Sequence, residues 1–214
     1  MKRLPRIRTL PQAIHLPRHP LSDQLRKLLK AIVAVHLPPN LKPLTVIMSR
    51  EVPGAVFDAY TGHGPYSIYL NPNGNHPELS LLHEIAHYLE WQAIPKSGHG
   101  PRNFQDDPLF WDWLDAAFVS QNVLRLKDLR DEQAEETSVH STINYLLSPE
   151  ELWARSYSQY ITHKTQAPIL SQQIAAENKA VTGTIIYAPY WQRNDFFALE
   201  TALDTLFERL GWLK

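Results

Sequence analysis

The spacing of apolar residues changes along this chain, and the change limits the folds open to it. Leu44–Met48, 55–60 and Tyr66–Leu70 are short apolar-rich runs, separated by Pro53-Gly54 and by Gly62-His63-Gly64-Pro65. Runs of that length between turn-forming residues predict strands, read together as a small antiparallel or mixed sheet. A polar loop, 71–75, leads to a stretch over 77–91 in which Leu81, Leu82, Ile85, Ala86 and Leu89 recur at helical spacing. Ahead of the strands, Ser22 can cap a helix carrying Leu25, Leu28, Leu29, Ile32 and Val33, which Pro38-Pro39 would stop. Past residue 107 the spacing predicts helices throughout, over 107–121, about 123–136, 149–163, 169–179 and 195–210. No internal repeat is visible. The expected class is α+β: a small sheet packed on the 77–91 helix, followed by a helical part.

With 43% apolar residues in 214, the chain can bury one core of ordinary size. The expected organisation is a basic Pro/Arg-rich arm over 1–20 and one domain over 21–214. In that domain the sheet and its helix would occupy about 21–105 and the helical part about 106–214. The arm should be extended, as a tail or as a strap over the surface. Pro5, Arg6, Arg8, Pro11 and Pro17 interrupt every apolar stretch that could serve as a secretory signal. No run approaches the roughly 18 to 20 apolar residues of a membrane span. A soluble, cytoplasmic protein is therefore expected. Residues 1–50 carry ten Lys or Arg against one acid, Asp23, while the remainder carries eleven against twenty-one. The basic part either packs on the acidic one or binds nucleic acid. The first is favoured, because the dense basic block and interleaved aromatics of a nucleic-acid binder are missing.

Cysteine is absent, so disulfides, thiolate metal sites and a cysteine nucleophile are excluded, and any metal must bind through His, Asp or Glu. The 77–91 helix contains His83-Glu84-Ile85-Ala86-His87. Residues four apart stand one turn apart on one helix face, so His83 and His87 can grip a single ion. Glu84 lies on the same side but off the ion, where it can take a proton from a water and hand it to a leaving amine. The chain's own His and Glu frequencies give roughly 0.03 chance matches to this pattern over its length.

A catalytic zinc usually takes three protein ligands and leaves a position for water. Glu90 and Ala93 stand where a metzincin extension would place Gly and His, so the third ligand must come from later in the chain. The best candidate is Glu151, in the segment Ser148-Pro149-Glu150-Glu151-Leu152-Trp153-Ala154-Arg155-Ser156-Tyr157, where the small Ala154 shares its face. Ser148 and Glu151 also have the spacing of a helix-capping box. Glu150 is the immediate rival, with Glu135, Glu136, His140 and His163 behind it.

With the strand Tyr66–Leu70, the His83-Glu84-x-x-His87 helix and the later Glu-Leu-Trp-Ala-Arg-Ser-Tyr segment, the chain resembles gluzincin metallopeptidases over about residues 44–165. It looks most like the zincin-like domains of phages and mobile elements, which often carry a Glu-Leu-Phe-Ala-Arg-type segment; here Trp153 stands for the Phe. The resemblance implies that Glu151 is the third zinc ligand. It also implies that the strand before the metal helix, Tyr66–Leu70, can take substrate as an added strand.

Gluzincins tend to use a Tyr or His to steady the oxyanion, and Tyr157, Tyr160 and His163 lie on the right helix, although the first two also belong to an apolar stripe. His63 and His99, each between glycines, are lesser candidates, and the 95–104 loop can form a substrate rim. The expected function is zinc-dependent hydrolysis of peptide or protein substrates, with Glu84 as general base and His83, His87 and Glu151 as ligands. The alternative is a catalytically inactive zincin-fold module for binding or assembly in a phage or mobile element, which the basic arm would suit. A strap formed by 1–20 could also keep an enzyme latent.

Overall fold

The computed structural model describes residues 9–39, 41–59, 66–92, 94, 103–133, 137–182 and 185–213. Its α-helices and small mixed sheet make it an α+β protein. It comprises two compact units, Met1–Pro101 with Leu210–Lys214, and Arg102–Arg209. None of the described helices is long and apolar enough to cross a membrane.

In the first unit the chain runs through α1 (Leu10–Ala13), β1 (Ile14–His15), α2 (Ser22–Val35), β2 (Leu44–Met48), β3 (Ala55–Asp58), β4 (Tyr66–Leu70) and α3 (Pro77–Gln92). The strand order is β1-β2-β4-β3. β1 and β4 both run parallel to β2, and only β3 is antiparallel to β4. Of the two expected arrangements, antiparallel or mixed, the sheet takes the mixed one. Burial explains the order: Ser67, Ile68 and Leu70 of β4 are buried, whereas no residue of β3 is. The more apolar strand takes the central position, and the strand carrying Asp58 takes the edge.

The described part of the arm is no loose tail. Leu10, Ala13 and Ile14 are buried, and β1 extends the sheet beside Leu44 and Thr45. Residues 1–8 lie outside the described residues. Ser22 does not cap α2 but begins it, with its hydroxyl donating to the Pro17 carbonyl at 2.6 Å. The chain's end belongs to this unit too: Leu37 N–H donates to the Trp212 carbonyl at 2.8 Å, and the His36 and Trp212 rings stack 5.5 Å apart. Burial favours the neutral His36 imidazole and pulls its pKa down to about 3.

The second unit holds a 3-10 turn (Pro108–Phe110), α4 (Trp111–Phe118), α5 (Gln121–Glu132), α6 (Thr137–Leu146), α7 (Pro149–Thr165), α8 (Pro168–Glu177), the antiparallel hairpin β5 (Ala180–Thr182) and β6 (Ile185–Tyr187), and α9 (Arg193–Arg209). The break expected near residue 122 between two helices falls at Ser120, whose hydroxyl accepts from Val123 N–H at 3.3 Å and caps α5. The periodicity missed α6. The hairpin overturns the all-helical expectation; the β-branched residues Val181, Thr182, Ile185 and Ile186 give it strand composition.

Helix α7 is buried from Glu151 to Thr162. Its Trp153 and Tyr157 belong to an aromatic cluster with Phe104, Phe110, Trp113 and Phe207, ring centroids lying 4.9 to 6.4 Å apart. Several of its polar side chains are satisfied locally or by an irregular strap, 188–191. Ser156 and Ser158 donate to carbonyls one turn back, those of Leu152 and Ala154. Gln159 accepts from Trp191 N–H and donates to the Trp191 carbonyl, while Asn122 donates to the carbonyls of Ala188 and Tyr190. Arg155 donates to the Pro189 carbonyl, and Asn178 accepts from Tyr190 N–H. A buried segment outside helix or sheet needs such partners for its backbone, and here side chains supply them.

Candidate metal centre

Apolar residues close around α3 on most sides: Leu79, Leu81, Leu82, Ile85, Ala86, Tyr88 and Leu89 are all buried. From Ser80 to His87 the residues left partly open are Ser80, His83 and His87, which form one stripe at helical spacing. Within it the Nε2 atoms of His83 and His87 face each other at 3.2 Å. Two imidazole nitrogens bound to one tetrahedral zinc, each about 2.0 to 2.1 Å from it, stand roughly 3.3 Å apart. The pair is therefore already at ion-binding separation.

Glu84 is 8% exposed, and its Oε2 accepts from the backbone N–H of Phe57 at 2.8 Å. Alternate amides of an edge strand face away from the neighbouring strand. Phe57, on β3, spends one of these on the Glu84 carboxylate and so holds it in place. Phe57 was not singled out in the sequence, and no local signal could have found it, since the bond spans 27 positions and depends on β3 taking the edge.

At the start of α7, Ser148 Oγ accepts from Glu151 N–H at 3.4 Å. The capping spacing is thus real at the backbone, and the side chain has other work. His83, His87 and Glu151 form a group able to hold a metal ion: one ligand atom from each lies within 4.8 Å of the others, with the two His half-buried and the Glu buried. Two imidazoles and a carboxylate are a donor set that suits a divalent ion with an open position.

Glu150 is exposed, and His140 meets Asn144 at 3.0 Å. His163 contacts Arg193 and lies 3.5 Å from Glu200; burial and the Arg193 charge hold its pKa below the ordinary value. Tyr160 donates to Asp204 at 2.7 Å, and Tyr157 packs against Trp153 and Phe207, with burial pushing its phenol pKa well up. Glu135, Glu136, His63, His99 and the 95–102 part of the rim loop lie outside the described residues.

The expectation that Tyr66–Leu70 receives a substrate strand is overturned, because β4 is paired on both sides, by β2 and by β3. Among the described strands the outer positions belong to β1 and β3. Arg155, which closes the Glu-Leu-Trp-Ala-Arg segment, is buried one turn beyond Glu151. Desolvation lowers its pKa to about 10, opposed by Tyr190, Glu151 and two further tyrosines. No protein-family model, curated protein or solved structure matches the chain.

Proposed function

We propose that the chain is a zincin-type peptide hydrolase, with zinc held by His83, His87 and Glu151. The observation that carries this reading is the His–His–Glu group in a chain whose α3 also presents a carboxylate fixed for proton transfer. Zinc bound there would act as a Lewis acid toward a water and the scissile carbonyl. Glu84 is the general base. Its Oε2 is engaged by the Phe57 amide, so Oε1 is the oxygen that takes the proton from the water and returns it to the leaving amine. β3, which carries that amide, is an outer strand of the described sheet, a position that suits an extended peptide added as a further strand next to Glu84.

The test combines metal content with hydrolysis. The purified, tag-free chain is expected to hold one zinc, His83→Ala to hold none, and Glu84→Gln to keep the zinc while losing hydrolysis of a quenched fluorescent peptide library. A chain without zinc after reconstitution at neutral pH sinks the reading. Zinc lost from Glu84→Gln would make Glu84 a ligand and not the base.

A further inference from the structure

Arg155 is 2% exposed, and among the described residues its guanidinium binds no carboxylate directly. It donates instead to two carbonyls far apart in sequence, that of Leu146, where α6 ends, and that of Pro189 in the strap. Its Cζ lies 5.3 Å from the centre of the Trp191 ring, and its Nε has no partner among the described residues. Burying a guanidinium costs several kcal/mol unless the arrangement returns something for it. Methionine or leucine would fill the volume without that cost.

Position along the helix indicates what is returned. Only Leu147 and Ser148 separate α6 from α7, and the Arg155 fork reaches back across that corner to grip the last carbonyl of α6. Glu151 stands four residues before Arg155 on the same face, in the helical turn that the corner aims. The Ser148 cap fixes the backbone of this turn at Glu151 itself. Cap and fork together leave the first turn of α7 one direction.

We propose that Arg155 is a positioning residue for the metal ligand Glu151, locking the α6–α7 corner so that the carboxylate is held at the metal site before any ion arrives. The proposal rests on the metal-site reading above. Groups that orient a ligand from behind typically change metal affinity 10- to 100-fold when removed.

The competing role is purely structural: Arg155 would only hold the strap, as Gln159 does one turn later through both polar backbone groups of Trp191. Gln159 therefore supplies the control. Zinc affinity is measured by chelator competition on the full chain, well below the melting temperature, for wild type, Arg155→Met, Arg155→Lys and Gln159→Met. Cobalt(II) spectra of the same four proteins report the ligand field.

The expected result is zinc binding about 10- to 100-fold weaker in Arg155→Met, with an altered cobalt spectrum. Arg155→Lys, which can grip one carbonyl but not both, should fall between Arg155→Met and wild type. Gln159→Met should stay within about threefold of wild type, although it also lowers the melting temperature.

Equal weakening in Arg155→Met and Gln159→Met, or none in Arg155→Met, overturns the proposal. Should Arg155→Met fail to fold, Arg155→Lys decides alone, and wild-type affinity with a wild-type cobalt spectrum overturns it. A wild-type chain that takes up no zinc removes the metal site itself. A wild type that binds, beside an Arg155→Met that binds equally well, removes this inference only.

Discussion

Helix α3 keeps Ser80, His83 and His87 partly open between buried neighbours, whereas α7 is buried all round from Glu151 to Thr162. Both helices are enclosed, and both carry polar residues. They differ in where those residues find partners. On α7, two serines bond their own helix, Gln159 and Arg155 bond the strap, and the aromatic residues fill the remaining volume. On α3, two ring nitrogens turn toward each other, and a carboxylate is held by a strand amide. A polar helix can be buried for either reason, so burial alone does not identify a site. What separates the two cases is whether polar atoms bond the surrounding fold, as they do on α7 beyond Glu151, or converge on a common point, as His83, His87 and Glu151 do.

That contrast can be broken by substitution. The largest effect is expected on α3: Glu84→Gln should lower peptide hydrolysis by about 10²- to 10⁴-fold while zinc content and melting temperature hold, as measured by initial rates beside metal analysis. A parallel loss of stability would make Glu84 a structural residue like those of α7. Next is Trp153→Ala, which should cost about 3 to 5 kcal/mol in urea unfolding, because it removes the ring shared by Phe104, Phe110, Trp113, Tyr157 and Phe207. A cost under 1 kcal/mol would mean that α7 is not held by that cluster.

A third histidine sharpens the contrast through pH. His36 has a folded-state pKa of about 3, below its ordinary value, so the unfolded chain binds a proton that the folded chain refuses. Stability should therefore fall as pH drops from about 6.5 toward 3, by up to roughly 1.4 kcal/mol per unit. Urea unfolding in the presence of a chelator at pH 7 and pH 5, for wild type and His36→Leu, checks this; the variant should show a shallower decline. The smallest effect belongs to the α7 cap, where Ser148→Ala should cost about 1 kcal/mol. A much larger loss of zinc affinity than of stability in that variant would show the cap also steering Glu151.

The residues expected at the site were legible where one element holds them. His83, Glu84 and His87 sit within five positions of a single helix, and helical geometry alone puts them together. Glu151 was legible less directly, since its spacing from Ser148 equally announced a cap. Phe57 and Arg155 were not legible as contributors. The first acts through a backbone amide exposed only because β3 is an edge strand, and the second through carbonyls that its own neighbourhood in sequence does not name. Strand order was hidden for a related reason: three short runs with turns between them fit an antiparallel meander as well as the observed order, in which β4 lies between β2 and β3. The β5–β6 hairpin was in the sequence to be seen, but helical periodicity on either side drew the reading over it.

The sequence by itself determined the α+β class, the helix that carries the paired histidines and the exclusion of thiolate chemistry, because these follow from local spacing and from residue types present or absent. Only the tertiary structure decided which strand stands at the edge, which amide holds Glu84, how the strap is satisfied and why a guanidinium lies buried beside Glu151. Each of these joins residues distant in sequence, and the distance between their atoms is set by packing, which residue spacing does not encode.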